Sequence, residues 1–231
     1  MVRMQKSVFC WSGGKDCMLA LHEALASGEH EIIALLTTIS EEYNRVSMHG
    51  VRTELLELQA NLLGFPLVLV PVPKSPSNAE YERRMGAALE KLKLQGVSTA
   101  LFGDIFLEDV REYREKNLSR IGFKAAFPLW KRNTNALARK FISLGYRAVV
   151  TCADTSILDA SFSGREFDLA FLRDLPAKAD ACGENGEFHS FVYAGPLLKM
   201  PVAFRRGEKV LRENRFCFCD LVSGNSLSHV G

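Results

Sequence analysis

Through the first half of the chain, apolar residues alternate between short continuous runs and runs spaced three and four apart. Ser7 to Trp11 (SVFCW) is a short β-rich run. From Lys15 to Ser27, Met18, Leu21 and Leu25 return on one helical stripe, and Gly28 is placed to stop it. EIIALLTT is a second strand. Val51 to Leu63 carries Val51, Leu55, Leu58 and Leu62 at helical spacing before Gly64. PLVLVPV is a third strand, and Ala79 to Gln95 a third helix bearing Tyr81, Met85, Ala88, Leu89 and Leu92. STALFGD, the helix Glu108 to Arg120 and FKAAFPL complete the series.

Strands so nearly continuous in apolar residues suit a parallel sheet covered on both faces. The pattern therefore predicts an α/β fold, a doubly wound parallel sheet of five strands over residues 1–128. Ligand is expected where strand C-termini meet helix N-termini. Beyond Pro128 the alternation weakens. A helix (Asn135 to Leu144), a strand (YRAVVTCA), a loop-rich stretch and two more strands (FVYAGPLL and RFCFCDLV) predict a smaller C-terminal α+β domain over residues 129–231. It is expected to pack over the carboxyl edge of the sheet. No internal repeat or low-complexity tract appears.

Composition narrows the classes. In 231 residues, 29 basic side chains against 27 acidic ones leave a net charge of +2, and 47 % of residues are hydrophobic. That describes an ordinary globular chain with a real core. No basic stripe of the kind a nucleic-acid binder shows is visible, and the clusters ERRM and FRRGEK read as solvated surface of mixed sign. No apolar run reaches the ~18 residues of a membrane span, and the first residues lack the long apolar segment of a signal peptide. The six cysteines (Cys10, Cys17, Cys152, Cys182, Cys217 and Cys219) show neither CxxC pairing nor zinc spacing, so reduced thiols in a cytoplasmic protein are expected. Cys217 and Cys219 alternate along one strand, where a metal or redox role competes with ordinary packing.

The first candidate chemistry is the loop Ser12-Gly13-Gly14-Lys15-Asp16-Cys17. Two glycines between a strand and a helix let backbone N–H groups converge, and the helix dipole favours an anion at the same spot. Ser12 adds a hydroxyl and Lys15 a cation. Asp16 beside a polyphosphate asks for a bound Mg²⁺ to offset repulsion. The alternative is a glycine turn with capping residues and no ligand. The loop is neither a Walker A sequence nor a dinucleotide fingerprint. The second cluster is CGENGEFHS, where Gly183 and Gly186 punctuate a loop and Glu184 and Glu187 present carboxylates three residues apart. These could bind Mg²⁺, accept hydrogen bonds from ammonium or pair with a cationic substrate, or they form an acidic surface turn.

SGGKDC resembles the pyrophosphate loop SGGxDS of the N-type ATP pyrophosphatases, with Cys17 where Ser is usual. The further series of GDI (Gly103 to Ile105), FPLW, FISLGYRAVVTC, FSGREFD and CGENGEFHSFV resembles the diphthine–ammonia ligase family from about Ser7 to about Val202. Asn185 stands where that family often has glycine; with His189 it resembles a bacterial-type branch. The resemblance implies a HUP-like, adenine nucleotide alpha-hydrolase fold and ATP and Mg²⁺ as cofactors. It implies an enzyme that adenylates a carboxylate, releases pyrophosphate and lets ammonia displace AMP. The carboxylate would be diphthine on a protein or, in a bacterial host, another acceptor. Diphthine carries a quaternary ammonium, to which an acidic pocket is complementary.

On this reading Ser12, Gly13, Gly14, Lys15, Asp16, Cys17, His49, Gly103 and Asp104 contact the nucleotide, and Asp16 the Mg²⁺. Lys15, Asp16, Glu184 and Glu187 carry the chemistry, while Arg165, Glu184, Asn185, Gly186, Glu187 and His189 face the acceptor. His49 precedes the second helix on the ligand-facing rim, and Arg165 either meets an anion or makes a surface ion pair. Cys17 is expected to pack behind the loop, since no partner cysteine is placed for a persulfide relay. Two alternatives stand beside the ligase: a non-catalytic ATP-binding regulatory protein, and a tRNA-modifying enzyme of the same loop class. A homodimer is compatible with the sequence.

Overall fold

In a computed structural model that describes residues 4–46 and 50–224, the first half folds into strands β1 (Gln5–Cys10), β2 (His30–Ser40), β3 (Arg45–Val46), β4 (Leu67–Val72), β5 (Thr99–Leu101) and β6 (Lys124–Ala126). Between them lie helices α1 (Lys15–Ser27), α2 (Thr53–Leu63), α3 (Asn78–Lys93) and α4 (Glu108–Arg120). Five strands are parallel in the order β4-β2-β1-β5-β6. The short β3 adds antiparallel to the end of β2, through Ile39–Val46 and Ser40–Arg45. The five-stranded parallel sheet expected from the apolar runs is present; β3 had no sequence signal, because two residues carry no periodicity.

After β4 the chain crosses back over β2 and β1 to lay down β5. The strand order therefore reverses between β1 and β5, and a crevice opens at their carboxyl ends. The sheet separates two apolar layers. Val8, Ala34, Leu36 and Ala100 face Leu89 and Leu92 of α3 and Leu118 of α4. Phe9, Leu35 and Leu101 face α1 and α2, and that layer continues without a break into the second half of the chain.

The second half contains α5 (Thr134–Ser143), β7 (Arg147–Asp154), a single 3-10 turn (Ala160–Phe162), α6 (Leu169–Asp174), β8 (Phe188–Ala194), β9 (Phe204–Arg212) and β10 (Phe216–Ser223). Its four strands form an antiparallel sheet in the order β8-β7-β10-β9. Phe167, Phe171 and Phe188 pack edge-on and tilted, with ring centroids 5.0 to 5.9 Å apart, filling the space beneath the acidic loop. Cys217 and Cys219 do share one face of β10, and both are buried with Leu221. Among the described residues no cluster of His, Cys, Asp or Glu is arranged for a metal, and no helix is long and apolar enough to cross a membrane.

The segment FRRGEK, which the sequence presents as solvated surface, lies in strand β9. Its residues are exposed, as expected, from Arg205 to Arg212; paired to β10 along one edge, it has no buried face to impose an apolar alternation. The helix α6 lies within the stretch that the sequence presents as loop-rich, and Asp168 caps it by accepting from the Phe171 N–H at 2.7 Å.

Candidate active site

The loop after β1 is shaped by Gly13, whose φ of +79° belongs to the left-handed region. A Cβ there would lie 2.7 Å from Cδ1 of the fully buried Leu56. Gly13→Ala should therefore destabilise the fold by about 2 kcal/mol, from both backbone strain and crowding; an unchanged urea midpoint would refute this. Gly14 is the residue before α1 and offers no side-chain cap. Ser190 Oγ on β8 accepts from the Lys15 N–H at 3.2 Å. The carbonyl of Gly13 is turned away from the helix toward Val192 and Gln59. Asp16 and Cys17, whose first-turn N–H groups a helix does not satisfy internally, line the cleft.

This cleft, of about 640 Å³, runs from the loop across the β1–β5 crevice to the acidic loop. Ser12, Gly14, Lys15, Asp16, Cys17, Gly103, Asp104, Glu184, Asn185, Gly186 and His189 all line it. Three sequence-distant motifs thus meet in one place. Gly103 lets the end of β5 pack directly on α1: a Cβ there would come within 2.8 Å of the Cys17 nitrogen. Asp104 pairs with Arg114 of α4 at 2.9 Å, and the Arg114 guanidinium lies 4.4 Å from the Phe102 ring centroid.

Several expected residues are oriented otherwise than the sequence suggested. The Lys15 amine does not reach out as a phosphate ligand. It is buried, bonds to the Cys182 carbonyl and to Asp16 Oδ2 at 2.7 Å, and sits 4.8 Å from the Phe188 ring centroid and 5.5 Å from that of Phe167. Burial opposes its charge, but the neighbouring Asp16 outweighs this and holds its pKa above the ordinary value. Burial also raises the Asp16 carboxyl, with Lys15 acting in the opposite sense.

The two acidic-loop carboxylates part company. Glu187 is 1 % exposed and accepts from the N–H groups of Asp180 at 2.8 Å and Asn185 at 3.0 Å, so it braces its own loop. It is outside the cleft lining, contrary to the expectation that it faces a substrate. Glu184 points the other way. Its Oε1 accepts from the Ile105 N–H at 2.6 Å and the Phe106 N–H at 3.3 Å, joining the acidic loop to the turn after β5. Burial, reinforced by Asp16 and Asp104 against those N–H groups, raises its pKa to about 7. His189 is held neutral: burial first, then the Lys15 cation, brings its pKa down to about 4.

Arg165 is likewise not in the cleft lining. It pairs with Asp174 at 2.7 Å and lies over Phe162 and Phe171. Arg165→Ala should leave turnover within about twofold of the parent, as for other exposed ion pairs; a larger loss in steady-state rate would return it to the site. His49 lies outside the described residues. Cys17 receives a hydrogen bond from Ser12 Oγ at 3.2 Å, and burial raises its pKa to about 11. It is a thiol at neutral pH and a poor nucleophile.

Sequence reasoning missed Asp180, whose Oδ2 accepts from the N–H groups of Cys182 and Glu184, as well as Ser190, Val192 and Gln59. Only Asp180 had a local signal, an acidic residue three positions before Gly183 of a glycine-punctuated turn.

Residues 5–125 match the family model described as the diphthamide synthase N-terminal domain, and residues 133–224 match the diphthamide synthase C-terminal domain. The chain is 25 % identical over 229 residues to a diphthine–ammonia ligase of Danio rerio, covering 88 % of each. It is 25 % identical to those of Bos taurus and Homo sapiens, covering 86 % and 87 % of this chain and 82 % and 83 % of theirs. A solved U34-tRNA thiolase, NcsA from Methanococcus maripaludis with its [4Fe-4S] cluster, aligns at 14 % identity over 62 % of this chain and 58 % of that one, with a TM-score of 0.33.

Proposed function

Because this chain belongs to the diphthamide synthase family, we propose that it is an ATP-dependent, AMP-forming amide ligase of the diphthine–ammonia ligase type. The observation that carries the reading is the shared cleft, which the first turn of α1 and Glu184 line together. A carboxylate is a poor acyl donor because its leaving group would be oxide. Joining it to the α-phosphate of ATP releases pyrophosphate and creates a good leaving group, AMP, which ammonia then displaces.

In this scheme the N–H groups of Asp16 and Cys17 stabilise the charge that grows on the departing pyrophosphate, fixed in direction before the reaction begins. Mg²⁺ is compatible with the donor set. It is ordinarily held by one or two carboxylates together with substrate phosphates and water, and Asp16 at the cleft would hold it. When bound, the ion offsets negative charge between the phosphates and Asp16. Glu184, half-ionised at about pH 7, accepts in its ionised form the proton that ammonium must lose before its nitrogen can attack. Neutral His189 and the amide of Asn185 border the acceptor end. The acceptor carries a carboxylate and, with acidic groups around it, a positive charge nearby. Diphthine on a protein meets that description; in the bacterial-type branch suggested by Asn185 and His189, a different carboxylate takes its place. Residues 1–128 supply the ATP side and 129–231 the acceptor side, in a cytoplasmic setting that keeps the six thiols reduced.

Sulfur transfer is disfavoured, because Cys17 is held as a thiol and its neighbour Cys10 is pushed higher still, to about 12, by burial. The test is product identity. Purified protein with Mg·ATP, ammonium and a panel of carboxylates, including diphthine-bearing protein, is expected to release AMP and pyrophosphate. ADP and orthophosphate would overturn the mechanism. ATP binding without AMP under every acceptor would favour a regulatory, non-catalytic protein.

A further inference from the structure

Beneath the loop after β1 lies a side chain with no local reason to be polar. Gln59, on the inner face of α2, is fully buried (0 % exposed) among Leu55, Leu56 and Ala60. Its amide makes three hydrogen bonds to three different segments. Trp11 Nε1 donates to its Oε1 at 2.8 Å. Its Nε2 donates to the Gly13 carbonyl at 3.1 Å and to the Val192 carbonyl at 2.6 Å. The Val192 N–H in turn donates to the same Gly13 carbonyl at 2.9 Å. Trp11 is itself fixed from the other side, since Thr37 Oγ1 donates to its carbonyl at 2.6 Å.

The chemistry of this arrangement is specific. Gly13 lies just before the residue that starts α1, where its carbonyl could face the cleft and repel an anion. Two donors, one from α2 and one from β8, hold that carbonyl instead, and neither they nor Gly13 line the cleft. The N–H groups of the first turn, which a helix leaves unsatisfied, therefore meet no competing carbonyl from Gly13. A leucine or methionine at position 59 would fill the same volume and bury more apolar surface. An amide there needs all its partners in place, because a buried amide left unbonded is costly.

We infer that Gln59 is the positioning residue of the anion-binding loop, holding the Gly13 peptide with its carbonyl turned away from the cleft and tying it to β8 of the acceptor half. The inference rests on the ATP reading above. It adds that phosphate affinity is set from below by a residue that touches no ligand. It also adds that the strand following the acidic loop is part of the same construction.

The test separates phosphate binding from nucleoside binding. In Gln59→Met and Gln59→Glu, affinity for ATP and for inorganic pyrophosphate with Mg²⁺ should fall by about tenfold or more, the scale of one lost buried hydrogen bond to a charge-binding element. Affinity for adenosine should change by less than about twofold, since the nucleoside does not engage the loop. A loss shared equally by ATP and adenosine would mean general damage and would overturn the inference, as would unchanged affinity for both.

Gln59→Glu carries a second readout. Its carboxylate repels the two carbonyls when ionised, but donates to one of them when protonated, so pyrophosphate affinity should recover as pH is lowered; Gln59→Met should show no such recovery. If neither variant folds, hydrogen exchange of the unsubstituted protein decides. Adding Mg²⁺ and pyrophosphate should slow exchange in the β8 segment Phe188 to Ala194, and unchanged exchange there would overturn the coupling. An unsubstituted protein that binds neither ATP nor pyrophosphate would bring down the ATP reading and this inference together. Normal binding unaffected by either substitution removes only the inference.

Discussion

Asp16→Asn is expected to cut AMP and pyrophosphate formation by about a thousandfold, the upper range for losing one preorganised electrostatic contact at a reacting phosphate. The sequence alone would make this a clean active-site knockout with an intact fold. The geometry adds a second effect. Asp16 is the counter-ion of Lys15, whose amine is only 3 % exposed, while the carboxylate retains 26 %. Removing the negative charge leaves a buried ammonium with the Cys182 carbonyl and two aromatic rings but no ionic partner. Unpaired buried charges cost several kcal/mol; with Asp16 part-exposed, a loss of about 3 kcal/mol is the appropriate scale.

The two effects can be separated by a cycle. Lys15→Met in the Asp16→Asn background removes the stranded charge, so urea unfolding should recover part of the lost stability while turnover stays lost. A double variant that regained AMP formation would show that Asp16 acts only through Lys15. Unchanged turnover in the single variant would take Asp16 out of the mechanism.

How far the chain could be read before folding depends on whether a residue's role is local. The helix α4 came out residue for residue, and α1 likewise, because Gly28 at φ +67° ends a stripe that begins directly after the glycine pair. The loop SGGKDC and the turn CGENGEFH were recognisable because short-range chemistry fixes their composition. What the sequence could not say is which way a side chain turns. Lys15 and Asp16 are adjacent and paired, yet the amine is buried while the carboxylate stays part-exposed. Glu184 and Glu187 are three apart in a turn rather than a helix, so their spacing put no constraint on a shared face. Glu187 immediately precedes β8 and goes inward. Gln59 was invisible for the same reason: its partners Trp11, Gly13 and Val192 are 48, 46 and 133 residues away.

Glu184→Gln should make the protein more stable at alkaline pH and far less active, a combination that neither a purely structural nor a purely surface role produces. In the fold the carboxyl has a pKa of about 7 against an ordinary 4.5, from burial first and then from Asp16 and Asp104. Lys15 and His189 are the other titratable groups at this end of the cleft, the one cationic and the other neutral. Because the folded pKa is the higher one, the native state holds the proton more tightly than the unfolded chain. The stabilising contribution is therefore full below about pH 4.5 and is lost as pH rises through about 7, by roughly 3 kcal/mol in all.

Glutamine keeps an oxygen for the Ile105 N–H and has no charge to bury. Parent and variant should thus unfold at similar urea concentrations near pH 5, and the variant should be the more resistant near pH 8. Activity should move oppositely. The parent's rate with saturating ammonium should climb as Glu184 ionises, reaching half its maximum near pH 7 and levelling above about pH 8. The variant should lose that limb and run about 10² to 10⁴ times slower, the range for removing a general base. A variant with the parent's pH–rate profile would show that Glu184 serves only to join the acidic loop to the turn after β5, and the proton would have to leave by another group.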